Sequence, residues 1–244
     1  MFDSGTIAKT KVGQERETAP AAMRARSTVQ DRAEILGAKE FLGVPVEKFE
    51  EGGREQLSYL QRAGATPSSK VVDLGCGVLR GGYWIIHFLN PGCYCGIEPH
   101  QERLRNGIQN ILEPETLESK QPRFDTNDRF DTSVFGEKFD FFLAYSIWAH
   151  ASKPQIRLML DSFLRDSIGS GILLTTFLPP GWLHRDYRAD GWFGTSHQSD
   201  IPGCIYHNFG WIKRECQKRG LAVLKLGRDA THGQSWLQIM RQSP

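Results

Sequence analysis

An apolar run, Val71-Val72, ends in Asp73-Leu74 and breaks into Gly75-Cys76-Gly77, followed by Val78-Leu79-Arg80-Gly81-Gly82. Glycines at such a turn let the backbone approach a ligand and take up positive φ without steric cost. The carboxylate of Asp73 selects among ligands: it repels a pyrophosphate and draws in a cationic or amino-bearing group through charge-assisted hydrogen bonds. The spacing agrees, because Gly75-x-Gly77-x-x-x-Gly81 departs from the G-x-G-x-x-G of dinucleotide sites. A tight strand-to-helix turn that takes no ligand is the plainer alternative.

Glu98 is the second acid. It follows Tyr94-Cys95-Gly96-Ile97 and lies roughly 25 residues after Asp73, near the interval at which an acid meets ribose hydroxyls in dinucleotide folds. Its two oxygens can accept from both the 2′ and the 3′ hydroxyl, although by itself it reads as an exposed loop acid. S-adenosylmethionine, with a sulfonium and an α-ammonium, suits the field set by Asp73 better than NAD does.

Histidine suits removal of a proton from an oxygen near neutral pH. The candidates are His150, four residues past Ser146, His184 and His197 in a long loop, and His207 just after it. Each alone also reads as a structural or surface histidine. His87 sits in a helix pattern, His100 follows the ribose strand and His232 lies in a late turn, so these three are set aside. The long loop carries Trp182, Tyr187, Trp192, Phe193 and Tyr206 beside Arg185, Asp186, Arg188 and Asp190. Aromatic walls with a few polar groups describe a small-molecule pocket, and equally a satellite hydrophobic cluster under a loop.

At 244 residues the chain is long enough for one full core with appendages. Residues 1–28 are polar, rich in Lys, Arg, Glu and Thr, and interrupted by Pro20: a flexible tail, or a lid that ligand orders. Residues 29–66 carry apolar side chains at helical spacing, among them Ile35, Leu42, Phe49, Leu57 and Leu60, and predict a helical cap. From 67 to 244 strand and helix patterns alternate. Strands are expected over 70–74, 93–98, 123–126, 139–145, 171–178, 221–227 and 234–240, and helices over 81–90, 101–112, 154–164 and 208–219. An insertion at 179–206, the candidate substrate loop, breaks the rhythm. The fold class is α/β, a Rossmann-like, doubly wound and mostly parallel sheet of about seven strands with the helical cap before it. Right-handed crossovers set the carboxyl ends of parallel strands on one edge, where ligands bind. Asp73, Glu98, Asp128 and Ser146 fall at or just past such ends.

Over residues 71–240 the chain resembles the class I S-adenosylmethionine-dependent methyltransferases. The likeness is carried by Val71-Val72-Asp73-Leu74-Gly75-Cys76-Gly77 and by Tyr94-Cys95-Gly96-Ile97-Glu98-Pro99. A third segment, Lys138 to Ser146, has the Phe-Asp pair that commonly opens the family's fourth strand. The resemblance implies that Asp73 and the turn Gly75-Cys76-Gly77 bind the methionine part and that Glu98, with Pro99 beside it, binds the ribose. It implies that Asn127, Asp128 and Phe130 meet the adenine edge, and that Tyr145 and Ser146 floor the site beside the methyl group. Arg80 has two readings, a reach to the cofactor carboxylate and a surface or cap-facing salt bridge.

The activity expected is methyl transfer by in-line displacement to a small-molecule acceptor, through oxygen. The protein's part in such a step is to align the reactants and exclude water, with a base only where the acceptor must lose a proton. Other readings are a protein or RNA acceptor, a binding module that takes the cofactor without transfer, and an NAD-dependent oxidoreductase with its pyrophosphate set against Asp73. A net charge of +2, from 30 basic and 28 acidic residues, gives no broad footprint for nucleic acid. Lys213, Arg214, Lys218 and Arg219 read as the solvated face of a helix. Five cysteines lack the paired spacing of a zinc site and read as reduced thiols, and no metal-ligand cluster is recognisable. No apolar run approaches the roughly 20 residues that span a bilayer. Residues 1–24 lack the apolar core of a secretory signal, so a cytoplasmic protein is expected.

Overall fold

The computed structural model describes residues 27–39, 41–42, 45–182, 185–194, 203–230 and 233–242. Residues 1–26 of the tail or lid expected over 1–28, and His184, His197 and His232, lie outside the described residues. The sheet is built around four buried residues. β1 (Val71–Leu74) pairs in parallel with β2 (Tyr94–Ile97) on one side and with β4 (Phe139–Ala144) on the other. Strand side chains alternate between faces. Val72 and Leu74 therefore join Cys95, Ile97, Phe139 and Phe142 in one core, while Val71 joins Tyr94, Phe141 and Leu143 in the other. Burial on both faces is why β4 reads as a continuous apolar run.

β3 (Arg123–Asp125) and β5 (Ser167–Phe177) extend the parallel sheet. β6 (Leu221–Arg228) and β7 (Ser235–Arg241) complete it in antiparallel sense, and the order is β3-β2-β1-β4-β5-β7-β6. The seven-stranded, mostly parallel sheet expected from the sequence is the observed one. The apolar β7 lies inside it, as its composition predicts, and β6 forms the edge.

Helices cover both faces. α1 (Val29–Gly37) starts at a capping box made by Thr28 and Asp31, and α2 (Phe49–Arg62) follows a 3-10 turn, Val46–Lys48. α3 (Arg80–Phe88), α4 (Gln101–Asn110), α5 (Pro114–Lys120), α6 (Lys153–Asp166) and α7 (Phe209–Gln217) complete the set. α6 and α7 bury Ile156, Leu160, Phe163 and Ile212 against one face, and α2, α3 and α4 bury Leu60, Ile85 and Leu104 against the other. The cap helix α1 sets Val29, Ala33 and Leu36 on Phe49, Val78 and Ile111. The cap thus rests on the end of the glycine turn.

Three boundaries differ from expectation. α1 stops at Gly37, so Leu42, one of the apolar residues at helical spacing, lies beyond its end. α5 is short, with Pro114 in its first turn, and two turns are too few to show a periodicity. β5 begins at Ser167, where Ser167 pairs with Phe139 before a register irregularity, so Gly169 and Gly171 belong to a strand and not to a turn. None of these alters the edge where ligands bind. The chain runs outward from β1 through β2 to β3 and returns on the other side of β1 with β4, so the order reverses between β1 and β4. Ligands of open α/β sheets bind outside the carboxyl ends at that reversal.

Candidate active site

Residues from both sides of the reversal line one cleft: Asp73, Gly75, Cys76 and Gly77 after β1, Glu98 after β2, and Tyr145, Ser146 and His150 after β4. Gly75 (φ 74°) and Gly77 (φ 57°) are both left-handed, the conformation that favours glycine. The N–H groups of Gly75 and Cys76 donate to the Ile97 carbonyl at 2.7 and 3.1 Å, so the turn is tied to the end of β2. A Cβ at Gly75 would run into the Ile147 side chain. The cap contributes Leu42 and Gln56 to the lining, and α4 contributes Arg103.

Asp73 is 3% exposed and accepts a hydrogen bond from the Tyr94 hydroxyl at 2.9 Å. Burial pushes its pKa up to about 7; the Tyr94 bond and Arg80 oppose the rise, and the Glu98 carboxylate adds to it. Tyr94 is a site residue that the sequence reading missed. It pairs with Val71, on the face of Asp73, and its hydroxyl reaches the carboxylate beneath α3 because position 82 has no Cβ: one there would stand 2.7 Å from that oxygen. Glu98 is 4% exposed. It accepts from the N–H of Gly77 at 2.9 Å and of His100 at 3.0 Å, which fixes one carboxylate against the glycine turn.

Past β4 the chain turns sharply at Ser146, whose φ of 59° is left-handed in a residue with a side chain. Three bonds grip it or its neighbours. The Ser146 N–H donates to Thr176 Oγ1 at 2.8 Å, Gln234 Nε2 donates to Ser146 Oγ at 2.8 Å, and the Tyr145 hydroxyl donates to Asp229 at 2.8 Å. The turn delivers His150 to the cleft. His150 Nδ1 donates to the Phe193 carbonyl at 2.8 Å, so in the neutral ring Nε2 is the basic nitrogen. Trp192 stacks on that imidazole with 5.7 Å between centroids and also lines the cleft.

The other expected residues lie elsewhere. Asn127 spends its side chain on its own loop, donating to Asp125 and the Asp131 carbonyl and accepting from the Asp131 N–H. Asp128 is exposed, Phe130 is fully buried against Trp192, and neither these nor Pro99 line the cleft. His207 is also outside the lining. It is fully buried, donates through Nε2 to the Ala151 carbonyl at 2.9 Å, and burial lowers its pKa. It braces the turn that carries His150. The long loop supports both of its sequence readings: Trp192 faces the cleft, while Tyr187 and Phe193 pack on each other and Trp182 is fully exposed. Among the described residues no group of three His, Cys, Asp or Glu is placed to bind a metal ion.

No protein-family model and no curated protein matches the sequence. Solved structures do match. The magnesium protoporphyrin IX methyltransferase ChlM of Synechocystis PCC 6803, with bound S-adenosylhomocysteine (SAH), aligns at a TM-score of 0.60 with 18% identity, covering 91% of this chain and 99% of that chain. The DhpI–SAH complex aligns at 0.58 with 12% identity, over 88% of this chain and 94% of that chain. The fold is that of the class I S-adenosylmethionine-dependent methyltransferases. The glycopeptide N-methyltransferase MtfA, complexed with sinefungin, shares this methyltransferase fold at a TM-score of 0.58 and 14% identity, over 78% of this chain and 94% of that chain.

Proposed function

We propose that this chain is an S-adenosylmethionine-dependent methyltransferase whose acceptor is a small molecule, methylated on oxygen. The observation that carries the reading is the meeting, at the sheet's reversal, of two buried carboxylates, Asp73 and Glu98, with His150 in one cleft. The cleft fits the cofactor: Gly75 and Gly77 give its turn a left-handed backbone with no side chains, and the Nη1 of Arg80 is buried there without a partner. Bound there, the cofactor supplies a methyl group on a sulfonium sulfur, an electrophile suited to in-line displacement. Asp73 binds the ammonium and Glu98 the ribose hydroxyls. Tyr145, Ser146 and Ile147 form the floor, and Leu42 and Gln56 cover it from the cap at residues 29–66, which keeps water out. His150 Nε2 takes the hydroxyl proton of the acceptor as the new carbon–oxygen bond forms, and Trp192 walls that side.

Two of the similar structures are a magnesium protoporphyrin IX methyltransferase and a glycopeptide N-methyltransferase, and they support a small acceptor here. The five free cysteines fit a reducing compartment, and the cytoplasm is the proposed location. No helix among the described residues is long and apolar enough to cross a membrane. The test is incubation of the protein with methyl-labelled cofactor and, separately, a small-metabolite pool, RNA and protein. Label is expected in the metabolite pool, on oxygen. Label in RNA or protein would overturn the acceptor class, and cofactor binding without any transfer would overturn the enzyme.

A further inference from the structure

Ser146 stands in the floor of the cleft, and the mechanism gives its hydroxyl no role. From Phe141 to Ala149 every residue is buried except Ser146, which opens on the cleft as His150 does four residues later. Its left-handed φ of 59° persists only where the surroundings impose it. Two fully buried polar side chains do so, Thr176 on β5 and Gln234 just before β7. Such side chains are costly inside a protein unless bonded, and these two close a ring through Ser146. The Ser146 N–H donates to Thr176 Oγ1, the Thr176 hydroxyl donates to Gln234 Oε1, and Gln234 Nε2 donates to Ser146 Oγ, each at 2.8 Å. The first bond sets the direction of the others. A backbone N–H can only donate, so Thr176 accepts there and gives its proton to the Gln234 carbonyl oxygen, which leaves Nε2 to face Ser146. Ser146 Oγ is therefore an acceptor in the ring. Among the described residues nothing accepts its own proton. The Gln234 main chain is held in turn by Asp229, which accepts its N–H at 2.7 Å, donates to its carbonyl at 2.8 Å, and takes the Tyr145 hydroxyl.

A hydroxyl fixed as a donor selects a ligand atom with a lone pair to share, and a cationic centre repels its proton. Donation to the reacting oxygen itself would hold back the electron pair that attacks the methyl group. The proton therefore belongs to a second oxygen. His150 and Ser146 have opposite roles on one turn, the first taking a proton and the second giving one. Together they match a molecule with a hydroxyl beside another oxygen, as in a diol or a hydroxy-carbonyl compound. We propose that Gln234 and Thr176 hold Ser146 so that its hydroxyl donates to a second oxygen of the methyl acceptor, beside the hydroxyl that His150 deprotonates. Gln234 and Thr176 are then positioning residues, and Ser146 sets acceptor specificity, since a polar site rejects an analogue that leaves its group unpaired. This rests on the acceptor reading above.

The test is label transfer from methyl-labelled cofactor to a dilution series of the small-metabolite pool, with calorimetric SAH binding beside it, for the wild type, Ser146→Ala, Gln234→Met and the double variant. Each single variant is expected to raise the half-saturating pool concentration about 3- to 10-fold, the range of a neutral hydrogen bond. The larger share of the loss falls there and not in the saturating rate, as for an interaction made before the transition state, and SAH affinity stays within about twofold of the wild type. The double variant is expected within about twofold of the worse single one, because both changes remove the same bond. The labelled product of the wild type is expected to carry an oxygen beside its new methoxy group. An unchanged half-saturating concentration in Ser146→Ala, additive losses in the double variant, an equal loss of SAH affinity, or a product with no oxygen beside the methoxy group each overturns this assignment and leaves the methyltransferase reading standing. A wild type that labels nothing in the pool overturns the acceptor reading, and this assignment with it.

Discussion

The residue on which the site turns is Asp73. Its carboxyl is buried to the point that its pKa rises from 3.8 to about 7. Between those values the folded chain retains a proton that the unfolded chain has released. Stability from this group is therefore full below about pH 3.8 and lost as pH rises through about 7. An ammonium binds the ionised form, so SAH affinity is expected to climb with pH up to about 7 and then level off. Asp73→Asn is expected to flatten that profile, to bind SAH roughly tenfold or more weakly, and, without ligand, to unfold at a higher temperature than the wild type at pH 8. Calorimetry across pH and thermal melts check these outcomes. The histidines divide by environment. His150→Gln is expected to lower kcat about 100-fold or more, the scale of a lost general base, with SAH affinity retained. His207→Asn acts on the fold and is expected to lower Tm while kcat follows the folded fraction.

At the scale of elements, the turn after β1 works because β2 and α3 hold it from two sides. Gly82→Ala would set a methyl 2.7 Å from the Tyr94 hydroxyl and push it off Asp73; a loss of about 1–3 kcal/mol in stability is expected from urea unfolding. Tyr94→Phe removes the bond that opposes the pKa rise of Asp73. The pH midpoint of SAH binding is then expected to move upward. Asp73, Glu98, Tyr145 and Ser146 were legible in the sequence because each sits where a short apolar strand stops, a signal that adjacent residues carry. Tyr94 and Arg103 were not, since only packing across elements brings Tyr94 to the Asp73 carboxylate and Arg103 to the cleft. Asn127 stands outside the cleft lining for a local reason: an Asx side chain two residues past Asp125 closes its own turn. His207 is four residues past Gly203 and still ends behind the His150 turn, a placement set by the return of the long loop.

For the whole molecule, the cap and the sheet domain are joined by charge as well as by the Val78 and Ile111 contacts. Glu113, at the start of α5, pairs with Arg32 of α1 at 2.6 Å and with His87 of α3. Burial would raise the Glu113 pKa, but His87, its own backbone and Arg32 outweigh it and bring it down to about 2. Glu215 on α7 is likewise brought to about 2, against burial, by Lys218, Arg157 and Arg219. The stability these acids supply is present above about pH 4.5 and lost as pH falls toward 2. Glu113→Gln and Glu215→Gln are expected to make Tm less sensitive to pH across that window, which acid melts would show. The cofactor assignment is tested most directly by calorimetric titration of the folded wild type with SAH and with NAD at pH 8. Binding of SAH about 100-fold or more tighter than NAD, a gap of about 2.7 kcal/mol, is the expected result, and NAD binding as tight as SAH would contradict it.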